Sequence, residues 1–310
     1  MTAIGDAPVL QRLWDYQRER FPLARTAVLL AVFSAASINV SALLAGRPLP
    51  DPGAYLVAFV VALIFLFQLR ACDEVKDAEV DRRYRPERPV PRGLVSLRLI
   101  VGLAIAAMPV AIILSAARDP WLVLPLALVW LWMALMAFEF FAPDWLKARP
   151  FLYLVSHMLI MPLIDLFITA TEWLARAGSP PAHLWLFLLL SFLNGCVLEI
   201  GRKIYAPQNE REGVETYSAL LGARKATLLW SATVAAAFVL LLAVGFAVGA
   251  PRLVGTAGLA GLAACLAVAW MFWRAPDATA QQRLDTMSGL WVLTCYGSAG
   301  FLPLMFRGGF

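Results

Sequence analysis

The sequence predicts an all-α protein of the polytopic membrane class: nine transmembrane helices in a bundle around a central cavity, capped by charged loops. Three observations carry this prediction. Of 310 residues, 61% are hydrophobic and only 15% charged, against about 25% charged in soluble domains. Apolar runs near the roughly 20 residues that span a bilayer recur along the whole length. These runs are too long for strands and lack the alternation of a barrel, so helices are the remaining solution.

The apolar segments lie at approximately 25–46, 53–71, 96–116, 120–142, 150–171, 182–201, 225–249, 253–273 and 286–306. Breakers part many of them, including Arg118-Asp119-Pro120, Gly178-Ser179-Pro180-Pro181 and Gly249-Ala250-Pro251. The whole chain, 1–310, reads as one domain, opened by a polar segment over 1–24. That segment has no apolar core followed by a small-residue cleavage site, so no signal peptide is expected. Cys72, Cys196, Cys265 and Cys295 are scattered in or beside apolar runs. They lack metal-ligand spacing and read as packing residues.

Basic residues set the expected topology. Arg12, Arg18, Arg20 and Arg25 precede the first span, and Lys76, Arg82, Arg83, Arg85, Arg88, Arg92 and Arg98 follow the second. Lys147 and Arg149 follow the fourth; Arg202, Lys203, Arg211, Arg224 and Lys225 follow the sixth; Arg274 and Arg283 follow the eighth. The alternate connections hold little more than Arg47, Arg118, Arg176 and Arg252. The positive-inside rule then places the amino terminus in the cytoplasm and the carboxyl terminus outside. A bacterial inner membrane is the expected location. The net charge of +5 is accounted for by this asymmetry, and no nucleic-acid partner is expected. Two charged connections, 72–95 and 202–224, are longer than a packed bundle needs and read as active-site loops on the cytoplasmic side.

The first of these loops carries Asp73, Asp77 and Asp81, one every fourth residue. In a helix each such step overshoots a turn by about 40°, so the three carboxylates share one side. Clustered acids at the end of an apolar helix repel one another and lose hydration. Hard divalent cations with oxygen ligands would offset that. The basic run from Arg82 to Arg92 supplies partners for an anion such as a diphosphate.

This stretch, Asp73-x-x-x-Asp77-x-x-x-Asp81 followed by Arg88-Pro89-Val90-Pro91-Arg92-Gly93, resembles the first aspartate-rich motif of the UbiA superfamily of intramembrane prenyltransferases. There an Asn usually stands where this chain has Asp73. The second motif departs further. Gly213-x-x-Thr216 fits the family's Gly-x-x-Thr element, and Glu199 stands for a first carboxylate. Four residues on, however, comes the cation Lys203, with Asn209 or Glu210 left for a later acid. Lys203 either contacts phosphate directly, replacing one metal and its ligand, or pairs with Glu199 across a turn. Asp144-Trp145-Leu146-Lys147-Ala148-Arg149 resembles the family's Lys-Arg element between the fourth and fifth helices.

The resemblance implies Mg²⁺ held by Asp73, Asp77, Asp81 and Glu199, which form the expected catalytic and metal set. It implies an isoprenyl diphosphate, with Arg88, Lys147 and Arg149 as candidate partners, Lys147 and Arg149 otherwise snorkelling to the interface. Lys203 and Arg70, the latter one turn before Asp73, are further candidates read from the residues themselves, Arg70 otherwise pairing with Asp73 or snorkelling. The reaction implied is transfer of the prenyl group to an aromatic or lipid acceptor, among membrane lipids. A terpene cyclase of the same superfamily, needing no acceptor, is the alternative. A transporter using the acids as a cation site is a further one. Asp165, Glu139, Asn39 and His157 lie inside or at the ends of spans and are candidate pocket or packing residues. The many aromatic residues, Tyr153 and Phe140 among them, read as interface anchors or as a lining for an isoprenoid.

Overall fold

The computed structural model describes residues 7–211 and 213–306. It is a helical bundle, with no strand among these residues. Helix α1 (Val9–Arg20) precedes α2 (Leu23–Leu44) and α3 (Pro52–Lys76), which runs through Asp77 into a short α4 (Ala78–Tyr84). Then come α5 (Leu97–Ala106), α6 (Met108–Arg118), α7 (Val123–Ala137), α8 (Pro143–Lys147), α9 (Pro150–Met158) and α10 (Ile160–Ala177). The remainder is α11 (Leu184–Arg202), α12 (Tyr217–Leu221), α13 (Ala223–Ala247), α14 (Pro251–Arg274), α15 (Ala278–Gly300) and α16 (Leu302–Phe306).

Among the described residues eight spans are long and apolar enough to cross a membrane, from Leu23–Leu44 to Pro251–Arg274. Each coincides with an expected segment to within a few residues. The ninth expected segment, 286–306, falls on α15 and α16. Helix α15 has the length, but Gln281, Gln282, Arg283 and Asp285 dilute the apolar character of its first half. The count of nine therefore rests on a helix whose start is polar for a reason that the site makes plain.

Two spans are broken where the sequence predicts continuity. Pro109 has no N–H for the carbonyl of Ile105, and its ring crowds that turn, so α5 gives way to α6 at Ala107. Pro162 acts likewise on Met158, where α9 ends. Helix α1 was not anticipated. Its Tyr16 packs with Ala71, Leu94, Val95, Ile100 and Ala104, while Leu10 and Trp14, one turn apart, remain exposed.

Small residues let the helices close. A Cβ at Gly300 would lie 2.6 Å from the Cα of Ala36, so only glycine permits α15 to approach α2 at that depth. A Cβ at Gly201 would collide with Ser288 of α15. Ser288 also accepts from Trp230 Nε1 at 3.0 Å, which ties α11, α13 and α15 together just below Arg202.

Polar atoms inside the bundle are satisfied in knots. Asp165 accepts from Ser37 Oγ at 2.7 Å, from Ser191 Oγ at 2.5 Å and from the hydroxyl of Tyr296. Four helices, α2, α10, α11 and α15, thereby converge on one carboxylate. Toward the opposite end from the aspartate motif, Glu172 is fully buried and accepts from Ser41 Oγ and from Nε and Nη2 of Arg47. Leaving a buried donor unpaired costs about 1–3 kcal/mol. Asp165→Ala leaves Ser37 the Phe33 carbonyl and Tyr296 the Ser191 oxygen but takes the acceptor from Ser191, so it is expected to lower the unfolding free energy by about 1–3 kcal/mol. Asp165→Asn, which keeps acceptor oxygen, loses less. Thermal unfolding in detergent measures both, and a loss below about 1 kcal/mol for the alanine variant would contradict this account.

Candidate active site

The charged loops meet at one end of the bundle. The helical trace from α3 through α4 is held by the Asp77 N–H to Asp73 carbonyl bond at 2.9 Å and the Asp81 N–H to Asp77 carbonyl bond at 2.7 Å. The three aspartates therefore follow one another along one helical path, as their spacing predicts. Their surroundings differ sharply.

Asp81 is 2% exposed. Arg88 donates to its Oδ2 at 2.5 Å, and the Arg85 guanidinium lies 3.6 Å from its Oδ1. The turn that returns Arg88 is built by the Arg92 N–H to Arg88 carbonyl bond and by Gly93 at φ 78°, a conformation glycine adopts freely. Asp81 thus anchors the Arg-Pro loop, and Arg88 is committed to it. Asp73, by contrast, is about half exposed, with Arg70 at 3.4 Å as its ion-pair partner. Lys76, Asp77 and Arg202 lie within electrostatic reach of it. Asp77 is partly buried and has neither an ion pair nor a side-chain hydrogen bond among the described residues.

Helix α1 clamps this motif from outside. Arg20 donates to Glu74 at 2.6 Å. Arg92 forks onto both oxygens of Glu19 at 2.6 and 2.8 Å, and this hydrogen bonding holds the Glu19 carboxyl below its usual range. Burial pushes the Tyr16 phenol up, with the neighbouring Glu74 carboxylate adding to the effect.

The second loop answers with cations. Glu199 on α11 pairs with Arg202 at 2.5 Å and with Lys203 at 3.0 Å. Of the two roles the sequence leaves open for Lys203, this geometry displays the pairing across one helical turn. Arg202 also feels Asp73 from the first motif and Asp285 from α15. Sequence reading missed this meeting of three elements, since Asp285 carries no motif of its own. Gly213, at φ 77°, lies against the ring of Tyr84, and a Cβ there would sit 3.1 Å from it. Thr216 caps α12 by accepting from Ala219 N–H at 3.0 Å and donates to Glu210 at 2.9 Å. The Gly-x-x-Thr element therefore shapes the loop. Asn209 donates to Gln281 at 2.8 Å.

Two adjoining clefts open here, one between the two loops and one between the second loop and α15. One, of about 430 Å³, is lined by Arg85, Arg88, Arg211, Gln208, Asn209 and Gln281, with Glu87 and Tyr205. The other, of about 340 Å³, is lined by Arg202, Tyr205, Asn209, Gln281, Gln282 and Asp285, among others. The polar start of α15 thus forms a wall of the site. Lys147 and Arg149 lie outside these clefts. Arg149 stacks 4.3 Å over Trp145 and donates to its carbonyl at 2.9 Å, while Lys147 is exposed.

Between the two motifs lies a buried polar cluster. Lys76 pairs with Glu139 at 2.6 Å and donates to the Tyr153 hydroxyl at 3.0 Å. His157 stacks on Tyr153 with ring centroids 3.8 Å apart. Glu139, Phe140 and Phe141 all have positive φ, at 49°, 52° and 58°. A left-handed turn of three side-chain-bearing residues costs roughly 1–2 kcal/mol per residue, so the surrounding contacts must hold it.

The donor chemistry bears on a metal. Among the described residues no three acidic, histidine or cysteine side chains converge closely enough to cage an ion. Mg²⁺ rarely needs such a cage: it is commonly held by one or two carboxylates together with substrate phosphates, keeping several waters. Asp73 and Asp77, hard oxygen donors without a tight ion pair, fit that mode. Asp81 and Glu199 are taken up by arginine and lysine.

The profile of the UbiA prenyltransferase family matches residues 27–293. A digeranylgeranylglyceryl phosphate synthase of Metallosphaera sedula is 39% identical over 66 residues, which are 21% of this chain and 23% of that protein. The matched part is thus about a quarter of that relative's length. Among solved structures, the apo structure of a UbiA homologue from Aeropyrum pernix K1 superposes with a TM-score of 0.65 at 18% identity, over 85% of this chain and 96% of that one. A structure from work on digeranylgeranylglyceryl phosphate synthase in membranes gives 0.61 at 16% identity, over 94% of this chain and all of the other. At these identities the structures speak for a shared fold. A profile match over most of the chain, on a polytopic helical bundle carrying the first aspartate motif, shows that this protein is an integral-membrane member of the UbiA prenyltransferase family.

Proposed function

We propose that the protein transfers an isoprenyl group from an isoprenyl diphosphate to an aromatic or lipid acceptor, in a Mg²⁺-dependent reaction at the cytoplasmic face. The observation that carries the reading is the division among the motif acids. Asp73 and Asp77 keep oxygens available beside Arg70 and Arg202, whereas Asp81 and Glu199 hold the loops in place.

Asp73 and Asp77 would hold Mg²⁺, which when bound to the diphosphate stabilises the departing pyrophosphate as a Lewis acid. Arg70 and Arg202 neutralise oxygens that the metal leaves bare, aimed at charge that grows as the allylic bond breaks. Lys203 can turn from Glu199 toward phosphate when the anion arrives, since Arg202 remains to neutralise Glu199. Arg88, fixed on Asp81, lines the 430 Å³ cleft with Arg85 and Arg211 and gives it the sign an anion requires. The basic residues gathered on this side support a cytoplasmic location for it, with the carboxyl terminus outside. Trp145 with Arg149, and exposed Lys147, suit the membrane interface.

Purified protein in detergent is expected to release pyrophosphate from an allylic isoprenyl diphosphate only when Mg²⁺ and an acceptor are both present. A cyclised product formed without acceptor would replace transfer by cyclisation, and no release under any condition would refute the enzyme reading.

The two classes of acid separate in a second measurement. Asp77→Ala should lower turnover at least about 100-fold with little change in melting temperature. Asp81→Ala leaves Arg88 without its buried partner and should cost about 3 kcal/mol of stability. Equal stability losses in the two variants would contradict the division.

Lys203→Asp places two acids one turn apart. A phosphate role predicts a raised KM for the diphosphate and a changed Mg²⁺ requirement. An unchanged KM and Mg²⁺ dependence would confine Lys203 to pairing with Glu199.

A further inference from the structure

The cluster of Lys76, Glu139, Tyr153 and His157 is not explained by holding a diphosphate. None of the four lines either cleft, and the cluster's one carboxylate already faces a lysine. Its hydrogen bonding is conspicuously asymmetric. Glu139 Oε1 takes both available donors, Lys76 Nζ at 2.6 Å and the Tyr153 hydroxyl at 3.3 Å. Glu139 Oε2 is buried and accepts no hydrogen bond.

His157 does not fill the gap. Its Nδ1 lies 3.0 Å from the carbonyl oxygen of Tyr153, which can only accept, so the ring proton sits on Nδ1. Nε2 then carries a lone pair, turned to Lys76 Nζ at 3.3 Å. It stands 3.6 Å from Glu139 Oε2 and has no proton to give it. A buried carboxylate that served only as a bridge would spread its donors over both oxygens, because an unpaired buried acceptor is costly.

The backbone singles out the same residue. The left-handed turn of Glu139, Phe140 and Phe141 brings the carboxylate in from the end of α7. The turn is pinned by Phe140, which packs edge-on to Trp132 at 5.4 Å and near His157 at 6.1 Å. Sparsely populated conformations of this kind persist where surroundings over-determine them, often at sites of chemistry. The location is also shared by both motifs. Lys76 sits between Asp73 and Asp77 in sequence, and Lys203 Nζ lies 5.9 Å from the centre of the Tyr153 ring. The charged and titratable groups facing the cluster are Lys76 from α3, Tyr153 and His157 from α9, Glu199 from α11, Lys203 just past its end and Tyr217 from α12.

We propose that Glu139, through its unpartnered Oε2, is the proton acceptor of the transfer reaction. This rests on the prenyl-transfer reading above. The allylic C1–O bond breaks, its electron pair leaving with pyrophosphate. The acceptor's hydroxyl oxygen or ring carbon forms the new bond to C1, and the proton it sheds moves to Glu139 Oε2. Lys76 and Tyr153 hold Oε1, so the carboxylate is oriented with Oε2 toward the incoming proton. His157, with its lone pair 3.6 Å away, provides the next station for the proton.

The test separates ionisation from transfer. Geranylgeranyl diphosphate labelled with ¹⁸O at the C1–O bridge reports ionisation through scrambling of the label into non-bridging positions, with no acceptor needed. Transfer is measured as product formed with the acceptor that gives the fastest pyrophosphate release. Glu139→Gln keeps an amide oxygen for Lys76 and Tyr153 but cannot take a proton. It is expected to slow transfer by about 10²–10⁴-fold while scrambling stays within about threefold of wild type, and Glu139→Asp should restore part of the loss. Parallel loss of scrambling and transfer would overturn the assignment, because Glu139 would then serve the diphosphate or the fold. Unchanged transfer would overturn it directly. A wild-type protein that neither scrambles label nor releases pyrophosphate removes the transfer reading, and this assignment with it.

Discussion

A carboxylate drawn out of water at the end of a membrane bundle must meet a cation or a set of donors, and this constraint organises the charged end of the molecule. Glu74 is met by Arg20, Asp81 by Arg88 and Arg85, Glu139 by Lys76, and Glu199 by Arg202 and Lys203. Each pair joins segments or fixes the shape of one. Arg20 brings α1 onto α3, Arg88 folds the Arg-Pro loop back on α4, and Lys76 ties α3 to the turn beyond α7. Removing one partner of such a pair strands the other, which is far costlier than losing an exposed ion pair. The end of the bundle is thus held together by these pairs as well as by the apolar packing around Tyr16.

Once the structural pairs are assigned, what remains is informative. Asp73 and Asp77 retain oxygens that nothing among the described residues saturates. The arginines of the 430 Å³ cleft outnumber its single acid, Glu87. Asp73 itself stands beside Arg70 and within electrostatic reach of Arg202, and carboxylates mixed with cations make a poor site for either a bare metal or a bare phosphate. Together they suit a ligand that brings both, a polyphosphate with its divalent ion. The lysine at position 203 fits this pattern. Where the resemblance leads one to expect a carboxylate, this chain has a cation, for which we propose a phosphate partner.

Most of the architecture was legible because membrane physics writes it in plain runs. Eight spans fall where their apolar stretches end at Pro, Gly or charge, and the first motif follows from its four-residue spacing alone. The elements that escaped have no such signature. Helix α1 is polar on average, and its docking depends on Glu74 and Arg92, far off in sequence. The two kinks needed a choice between continuing a helix through proline and breaking it, which tertiary packing decides. Spacing also overstated the equivalence of the three aspartates. A shared helical side says nothing of burial, and Asp81 differs from Asp77 only because Arg88 turns back to reach it. Asp285 and the left-handed turn at Glu139 were invisible, since each acquires meaning only from residues brought beside it by folding.

The polar opening of α15 ties these threads together. A helix chosen only for spanning would begin with apolar residues, and Gln281, Gln282 and Asp285 weaken it as a membrane segment. They do so on the stretch that walls both clefts. Gln281 accepts from Ala206 N–H at 2.9 Å and from Asn209 at 2.8 Å, fixing the second loop, while Asp285 stands near Arg202. Below them the same helix is anchored by Ser288 against Trp230 and by Tyr296 on Asp165. The last long helix is therefore a strut between the buried hydroxyl knot and the site, and its departure from membrane composition follows from the chemistry it borders. In α15, Gln281, Gln282 and Asp285, which make the span less apolar, are among the residues that line the clefts.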